Sequence, residues 1–326
     1  MLSGWPIPLR LIVLSLALGL GGGFSVVAEA ADAPSAAPVD PSAPSTAAET
    51  DTVNPSIMLT GSVWRTKAGI VFLKTPVGML TLSSRTTFKD LLASQDVTLW
   101  VHDAHFAVEI RKRADGTVLH RYFSGPFKPN AAEPKQLLRW TPDGERSYHY
   151  GTHEQTLAAL HDGDPVTVEV DRNDTVAGVH TVQFDLQIGQ IPAAGADAHV
   201  LLSGTVSKLK SNFIFFRTPV GVITVNNKIG IKNAKVGQTM TLHVHRQHVV
   251  ADLTTPNAAA GTVRFVTGPL RYATPDRTAV TLWTPEGEKT FPADKAKAAL
   301  AGLKDGAPVT VELNGQGSVV AFHRPN

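Results

Sequence analysis

Histidines gather at one point of the sequence, His243-Val244-His245-Arg246-Gln247-His248. Side chains two residues apart in a β-strand project from the same face, so His243 and His245 are predicted to lie side by side, with His248 just past the strand. Neutral imidazole is a suitable ligand for zinc, copper and nickel. These three residues are therefore a candidate site for one of those metals. The alternative interpretation is that they are ordinary polar side chains on a solvated strand face.

The first half of the chain repeats part of this pattern. His102 and His105 occupy positions equivalent to the second and third of these histidines, whereas Trp100 replaces the first. These two residues extend the candidate metal site to a second place in the molecule. His180 and His323 also correspond between the halves. Shared ancestry is the alternative explanation for all of these matches.

Two tryptophans, Trp140 and Trp283, each directly precede a Thr-Pro-x-Gly phrase. An indole at the end of a hairpin can stack on a sugar or a base, or it can anchor a protein partner. We therefore predict both tryptophans as contacts for a ligand or partner. The alternative is that they are buried between neighbouring domains.

Charge is nearly balanced over the whole chain, with a formal net charge of +2, but it is unevenly distributed. The segment 200–254 carries seven basic side chains and one acidic side chain, whereas the segment 119–185 carries six basic and ten acidic ones. Lys208, Lys210 and Arg217 are candidate contacts for an anionic glycan, a lipid headgroup or an acidic protein. The alternative is that the acidic and basic segments attract one another.

No sequence pattern of a common catalytic site is complete. His153-Glu154 begins a phrase similar to that of zinc proteases, but Leu157 occupies the position of the second required histidine. There is no nucleophile elbow and no phosphate-binding loop. The chain has no cysteine, which excludes disulfides, thiolate ligands and cysteine nucleophiles. We predict that the protein is not an enzyme and has no cofactor other than the candidate zinc, copper or nickel.

The Thr-Pro-x-Gly phrase occurs four times, beginning at Thr75, Thr141, Thr218 and Thr284. Proline presets φ for a tight turn and glycine accepts a positive φ, and apolar β-branched runs flank each copy, so each copy predicts a β-hairpin. The four copies are 66, 77 and 66 residues apart. Other motifs recur at a constant offset of 143 residues, such as Gly125-Pro126 and Gly268-Pro269. The chain is therefore a pair of repeats that has been duplicated.

Residues 1–30 have the pattern of a Sec-type signal peptide, with an apolar run followed by Ala28-Glu29-Ala30 as the cleavage site. Residues 31–56 are rich in Ala, Pro, Ser and Thr and predict a disordered linker. No other stretch is long and apolar enough to span a membrane. We expect a periplasmic or secreted bacterial protein, and export argues against nucleic acid as its partner.

The order of strand and helix signals predicts an all-β fold of four small five-stranded barrels, of the OB or SH3-like type. Each barrel is expected to have a short helix between its third and fourth strands. The predicted barrels, hereafter repeats one to four, cover residues 57–114, 117–185, 199–257 and 262–326, with a linker at 186–198. Several strands are apolar on both faces, so we expect two barrels to pack together within each half.

Repeat three contains Leu202-Ser203-Gly204-Thr205-Val206, then a Thr-Pro-x-Gly hairpin, then Lys235-Val236-Gly237-Gln238-Thr239-Met240-Thr241-Leu242. This arrangement resembles the small OB-type domains of unknown function that occur in exported bacterial proteins. The resemblance extends loosely over each repeat, and its motifs are structural. It implies the barrel fold and the envelope location, and it transfers no functional residue.

These features predict a non-enzymatic exported protein that binds or scaffolds an envelope protein or a glycan. Two alternatives use particular residues: transition-metal binding through the histidines, and recognition of an anionic glycan through repeat three and the two tryptophans. Imidazoles that converge on one point would favour metal binding, whereas a large apolar groove or patch would favour scaffolding.

Overall fold

Alternating apolar and polar residues, rich in Val, Ile, Thr and Phe, favour strands that bury one face. The computed structural model describes residues 54–84, 95–256, 261–294, 297–300 and 302–325, and it confirms the all-β class. The predicted signal peptide, most of the predicted linker 31–56 and the predicted helix of repeat one lie outside the described residues.

The first half contains eleven of the strands. They are β1 (Ser56–Lys67), β2 (Ile70–Thr75), β3 (Gly78–Ser84), β4 (Gln95–His102), β5 (His105–Lys112), β6 (Val118–Pro126), β7 (Gln136–Thr141), β8 (Gly144–His149), β9 (Pro165–Val170), β10 (Val176–His180) and β11 (Val182–Ile188). Helix α1 (Glu154–Ala158) follows a 3-10 turn at Gly151–His153.

The second half repeats this order. Its strands are β12 (Ala198–Lys210), β13 (Phe213–Thr218), β14 (Gly221–Asn226), β15 (Thr239–His245), β16 (His248–Thr254), β17 (Thr262–Pro269), β18 (Arg271–Tyr272), β19 (Ala279–Thr284), β20 (Gly287–Pro292), β21 (Pro308–Leu313) and β22 (Val319–His323). A 3-10 turn at Asn227–Ile229 follows β14, and helix α2 (Lys297–Leu300) follows β20.

All four predicted hairpins are present, as β2–β3, β7–β8, β13–β14 and β19–β20. In each turn the threonine hydroxyl donates a hydrogen bond to the glycine carbonyl, at 3.0, 2.6, 2.8 and 2.7 Å in chain order. The four glycines have φ values of +143°, +115°, +123° and +111°, which favour glycine over residues with a Cβ atom. The motif therefore encodes the turn directly.

The two halves meet where β1 pairs antiparallel with β12. Ile57 pairs with Val200, which is the residue 143 positions further along the chain. The neighbouring pairs on either side map onto one another when the two halves are interchanged. A local two-fold axis therefore passes between Ile57 and Val200. The duplication in the sequence is a two-fold symmetric arrangement in the fold.

One antiparallel sheet extends from this axis in both directions, in the order β10–β9–β6–β5–β4–β1–β12–β15–β16–β17–β21–β22. The hairpins β2–β3 and β13–β14 are joined by β11, which is antiparallel to β3 and parallel to β14. Strands β1, β2, β3, β11, β14, β13 and β12 therefore form a closed circuit of paired strands.

The largest hydrophobic core is shared by repeats one and three. It includes Leu59 and Leu80 from the first half and Leu202 and Phe216 from the second, all fully buried. Repeats two and four contribute most of two smaller cores. The sequence predicts that two domains pack together within each half. The main packing instead joins repeats one and three, because β1 and β12 pair across the halves.

Repeat one also shares its remaining strands with other parts of the chain. Strand β1 pairs with β2 and β4, and β4 pairs with β5. However, β3 pairs with β11, and β5 pairs with β6 of repeat two. The first residues of the predicted linker 186–198 belong to β11.

The helices are short, and each buries an apolar side chain. Leu157 of α1 is fully buried and Leu300 of α2 is buried, and both contribute to the smaller cores. None of the described helices has the length and apolar composition needed to cross a membrane.

Candidate functional site

The three histidines singled out in repeat three lie where β15 and β16 meet. His243 and His245 are on one face of β15, and His248 begins β16 opposite His245. The indole of Trp283, at the end of β19, packs on all three rings. Its centroid lies 5.2 Å from that of His243, 4.9 Å from that of His245 and 5.6 Å from that of His248. Trp283 is therefore the common contact of these histidines.

A fourth histidine, His199 on β12, belongs to the same group and was not predicted. Its partner in the β12–β15 ladder is His245, and its ring lies edge-on to that of His243 with centroids 5.5 Å apart. His199 is far from the others in sequence, so only the strand register brings it into place. We call His199, His243, His245, His248 and Trp283 the imidazole–indole cluster.

Burial favours the neutral form of three of these imidazoles, those of His199, His243 and His248. Burial, together with the neighbouring His199 and His245, lowers the pKa of His243 to about 4. Burial also lowers the pKa of His199 and that of His248. Three nearby carboxylates partly offset this by raising the pKa values of the same histidines: Asp197, Glu286 and Glu288. Neutral rings keep one nitrogen lone pair available as a hydrogen-bond acceptor or metal ligand.

The cluster is not arranged as a preformed metal centre. Among the residues that the structure describes, no three His, Asp or Glu side chains are grouped so that they could hold a metal ion. The physical reason is that the imidazoles pack on the indole of Trp283. A zinc, copper or nickel ion would bind to His243, His245 and His248 only after these rings turn from the indole toward one point.

The equivalent positions of the first half form a smaller cluster. Trp140, at the end of β7, stacks on His102 with centroids 5.3 Å apart and an interplanar angle of 17°, and its centroid lies 6.3 Å from that of His105. Burial, with a smaller contribution from Arg139, lowers the pKa of His105. Trp100 takes the place of the first histidine, so this cluster has two imidazoles.

Two glycines make room for these histidines. A Cβ atom at Gly268 would lie 2.4 Å from Cδ2 of His248, and a Cβ atom at Gly125 would lie 2.4 Å from Cδ2 of His105. Both glycines belong to the Gly-Pro motif that recurs in the duplication. The sequence marks this motif as repeated, but its role in seating an imidazole is visible only in the structure.

The two clusters lie at opposite edges of one surface that crosses the two-fold axis. Over β4, β1, β12 and β15 the strand register aligns two rows of side chains: His102, Ser56, Leu201 and His243, and Trp100, Met58, His199 and His245. Both rows are half-buried or exposed, whereas the row between them is buried. The imidazoles and indoles therefore share the outer face of this sheet.

The predicted basic contacts of repeat three lie on the outer face of β12 and β13. Lys208 pairs with Phe215 across the ladder, and its Nζ lies 5.9 Å from the phenyl centroid. Arg217 is exposed two residues beyond Phe215, and Lys210 is exposed two residues beyond Lys208. Residues two apart share a strand face. We call Lys208, Phe215 and Arg217 the second cation–phenyl patch.

The first half holds an equivalent patch that sequence reasoning missed. Arg65, Phe72 and Lys74, the first cation–phenyl patch, lie 143 positions before the residues of the second. The guanidinium carbon of Arg65 is 4.4 Å from the phenyl centroid of Phe72 and 4.7 Å from the indole of Trp64, which is 47% exposed. The repeated offset was the available signal.

The cations of both patches have no carboxylate partner among the described residues. Other basic side chains do have carboxylate partners, as Lys128 has Glu145 at 2.8 Å and Arg271 has Glu288 at 2.6 Å. No ion pair between described residues joins repeat three to the acidic repeat two. The patches are therefore unneutralised positive surface beside aromatic rings.

His180 and His323, which correspond across the duplication, each contact a carboxylate on the neighbouring strand. Nε2 of His180 is 3.1 Å from Oε2 of Glu169, and Nε2 of His323 is 2.7 Å from Oε2 of Glu312. Nδ1 of His120 is 2.7 Å from the other oxygen of Glu169. Burial raises the pKa of Glu169, but the hydrogen bonds to both histidines outweigh it and hold that pKa at about 2. These contacts tie β10 to β9 and β22 to β21.

The large exposed apolar side chains of the described surface each lie on a different strand or loop. They are Trp64, Leu119, Leu209, Val222, Val236 and Val320. A large apolar groove or patch, which would favour scaffolding, is therefore not prominent among the described residues.

The fold and its surfaces define an all-β protein with two symmetric cation–phenyl patches on its outer face. No protein-family model matches the chain, and no curated protein matches its sequence.

Proposed function

We propose that this protein is a non-enzymatic binding protein, exported to the bacterial envelope, and that its ligand is an anionic glycan. The observation that carries the proposal is the pair of cation–phenyl patches. Each presents exposed cations beside an aromatic ring, and neither has a carboxylate partner among the described residues. Carboxylate or sulfate groups would accept hydrogen bonds from the cations, while sugar rings would pack on the aromatic faces.

The shape of the surface favours a polymer over a small ligand. Sites for small molecules are concave and enclose most of the ligand. The patches lie on an open strand face, and four cavities among the described residues are lined by other side chains. A polymer gains affinity by many shallow contacts, which an open face can supply.

The proposal also includes the cellular location of the protein and the type of module from which its repeats derive. Export is supported by residues 1–30, with their apolar run and Ala28-Glu29-Ala30. We also propose that each repeat derives from a five-stranded OB- or SH3-like module, as the resemblance implies. In repeat one, the pairing of β1 with both β2 and β4, and of β4 with β5, supports this derivation.

The test compares polymers that differ only in charge. The chain without residues 1–30 is titrated with dextran sulfate and with unmodified dextran of the same length, and binding is followed by calorimetry. We expect saturable binding to dextran sulfate that weakens as salt is raised, and none to dextran. Binding to polyglutamate of similar charge, at equal affinity, would instead identify an acidic protein as the partner class.

A matched pair of variants locates the site. Replacing Arg65, Lys74, Lys208 and Arg217 by alanine should weaken binding at least tenfold. The control removes the same number of charges from exposed cations that have carboxylate partners: Lys112, Lys128, Lys135 and Arg271. If both variants weaken binding equally, net charge rather than the patches determines it and the proposal is wrong.

Transition-metal binding is a second candidate function. The observation that favours it is the gathering of four imidazoles in the imidazole–indole cluster. Because the rings must leave the indole to share an ion, binding would change the fluorescence of Trp283. We therefore propose titration with zinc, copper and nickel, with the His243→Ala/His245→Ala variant as control. An unchanged spectrum and no metal retained after purification without chelators would exclude this function.

A further inference from the structure

We infer that the two cation–phenyl patches bind one glycan chain together, so that the protein selects long anionic polymers over short ones. This inference rests on the proposed function and adds the mode of recognition. The first patch is Arg65, Phe72 and Lys74, and the second is their counterpart in the other half. Two similar sites on one folded unit are the condition for bivalent binding.

The strand register shows how the patches are connected. On the first side Phe72 pairs with Thr81, and Thr81 pairs with Asp185 of β11. On the second side Phe215 pairs with Thr224, and Thr224 pairs with Gln187 of β11. The path over β2, β3, β11, β14 and β13 has four strand spacings, so the rings are at most roughly 20 Å apart across the strands.

The scaffold between the patches is preorganised. Both patches lie on the closed circuit of strands, and the inner side chains of that circuit form the largest core of the protein. A polymer that has bound one patch therefore meets the second at a fixed distance, without ordering any part of the protein. The second contact is then favoured by effective concentration, and avidity exceeds the affinity of a single patch.

The local symmetry also restricts what can be recognised. Because the patches are related by a two-fold axis, a chain that crosses both meets them in opposite directions along its own backbone. Contacts that depend on chain direction would be satisfied at one patch only. Contacts between cations and anionic groups, and between rings and sugar faces, do not depend on direction. We therefore expect selectivity for charge and length rather than for one particular linkage.

One carboxylate opposes binding on this path. Asp185 is exposed on the outer face of β11, between the two patches. An anionic chain that crosses the sheet must pass close to this side chain, so the two negative charges repel. Replacing it with asparagine should strengthen the binding of long chains and leave the binding of short ones almost unchanged.

The experiment is a calorimetric titration with oligogalacturonates of increasing length. Oligomers too short to span the patches should bind weakly with two molecules per protein. Once the oligomer can reach both patches, the stoichiometry should fall to one and the affinity should rise by about a hundredfold. A constant affinity per oligomer at all lengths, with two molecules always bound, would overturn bivalent recognition and leave the proposed function intact. Absence of binding at every length, including polygalacturonate, would contradict the proposed function itself.

Half-site variants complete the test. Arg65→Ala/Lys74→Ala removes the first patch, and Lys208→Ala/Arg217→Ala removes the second. Each variant should lose the affinity gain with length, while short oligomers still bind the remaining patch with a stoichiometry of one. If one variant keeps the full gain with length, the patch that it lacks does not take part, and the inference is wrong.

Discussion

Ile57 pairs with Val200 in the β1–β12 ladder, although the two residues are the same position of the two halves. Both side chains are buried in the core that joins repeats one and three. The local two-fold axis passes between them, so the same position of each half packs against its counterpart in the other half. The joint between the halves therefore depends on a self-complementary contact.

The first prediction concerns this joint. Ile57→Ala should lower the free energy of unfolding by about 2–5 kcal/mol, because it removes a buried aliphatic side chain and leaves a cavity. Val200→Ala should cost less, and the double variant should depart from additivity by at least about 0.5 kcal/mol. The measurement is denaturant unfolding of a double-mutant cycle. Ile57→Ala with Val280→Ala, whose side chain is buried in repeat four, is the control and should be additive.

The second prediction concerns Arg264 on β17. Its guanidinium donates two hydrogen bonds to Asp252, at 2.6 and 2.9 Å, and two to Glu286, at 2.8 and 2.9 Å. It thereby holds the β19–β20 turn against β16. Arg264→Met should lower the free energy of unfolding by about 2 kcal/mol, because charged groups that are half-buried lose their partners.

Arg271→Met provides the comparison for this prediction. Arg271 pairs with Glu288, but both side chains are more than half exposed, at 56% and 60%. Exposed pairs contribute little, so this change should cost less than about 1 kcal/mol. Equal losses in the two variants would show that Arg264 acts as an ordinary surface charge.

The four hairpins were predictable because their turn chemistry is local: threonine, proline and glycine act within four residues. The duplication was predictable because a constant offset needs no structure. The pairing of β1 with β12 and the position of β11 were not predictable. A strand partner that lies far along the chain is selected by the fit of whole strands, which no local pattern shows. The same limit explains His199, whose place depends on the register of β12 against β15.

The third prediction concerns the space that Gly268 leaves for the imidazole of His248. A methyl group at Gly268 would meet the imidazole of His248, which packs on Trp283. Gly268→Ala should therefore displace the ring, shift the fluorescence of Trp283 and lower the free energy of unfolding by about 1–3 kcal/mol. Gly189→Ala is the control, because a Cβ atom there has no neighbour nearer than Cβ of Asn226 at 4.0 Å. An unchanged spectrum for Gly268→Ala would contradict this account of the glycine.

The fourth prediction is a loss of stability on mild acidification. In the folded protein the pKa of His243 is lowered to about 4, against an ordinary value of 6.5, by burial and by its histidine neighbours. A lowered histidine pKa means that the folded state binds the proton less well than the unfolded state. The contribution to stability is therefore complete above pH 6.5 and is lost as the pH falls toward 4.

The size of this loss is limited because the imidazole is only half-buried. One unit of pKa difference corresponds to about 1.4 kcal/mol, and partial solvent exposure reduces the full value, so we expect about 1–2 kcal/mol. The measurement is thermal unfolding between pH 8 and pH 4. His243→Asn should flatten the pH dependence in this window, whereas His161→Asn, whose side chain is 91% exposed, should leave it unchanged. If His243→Asn and the unaltered protein lose stability in parallel, the acid sensitivity arises elsewhere, and the neutral imidazole of His243 does not contribute to holding β19 on β15.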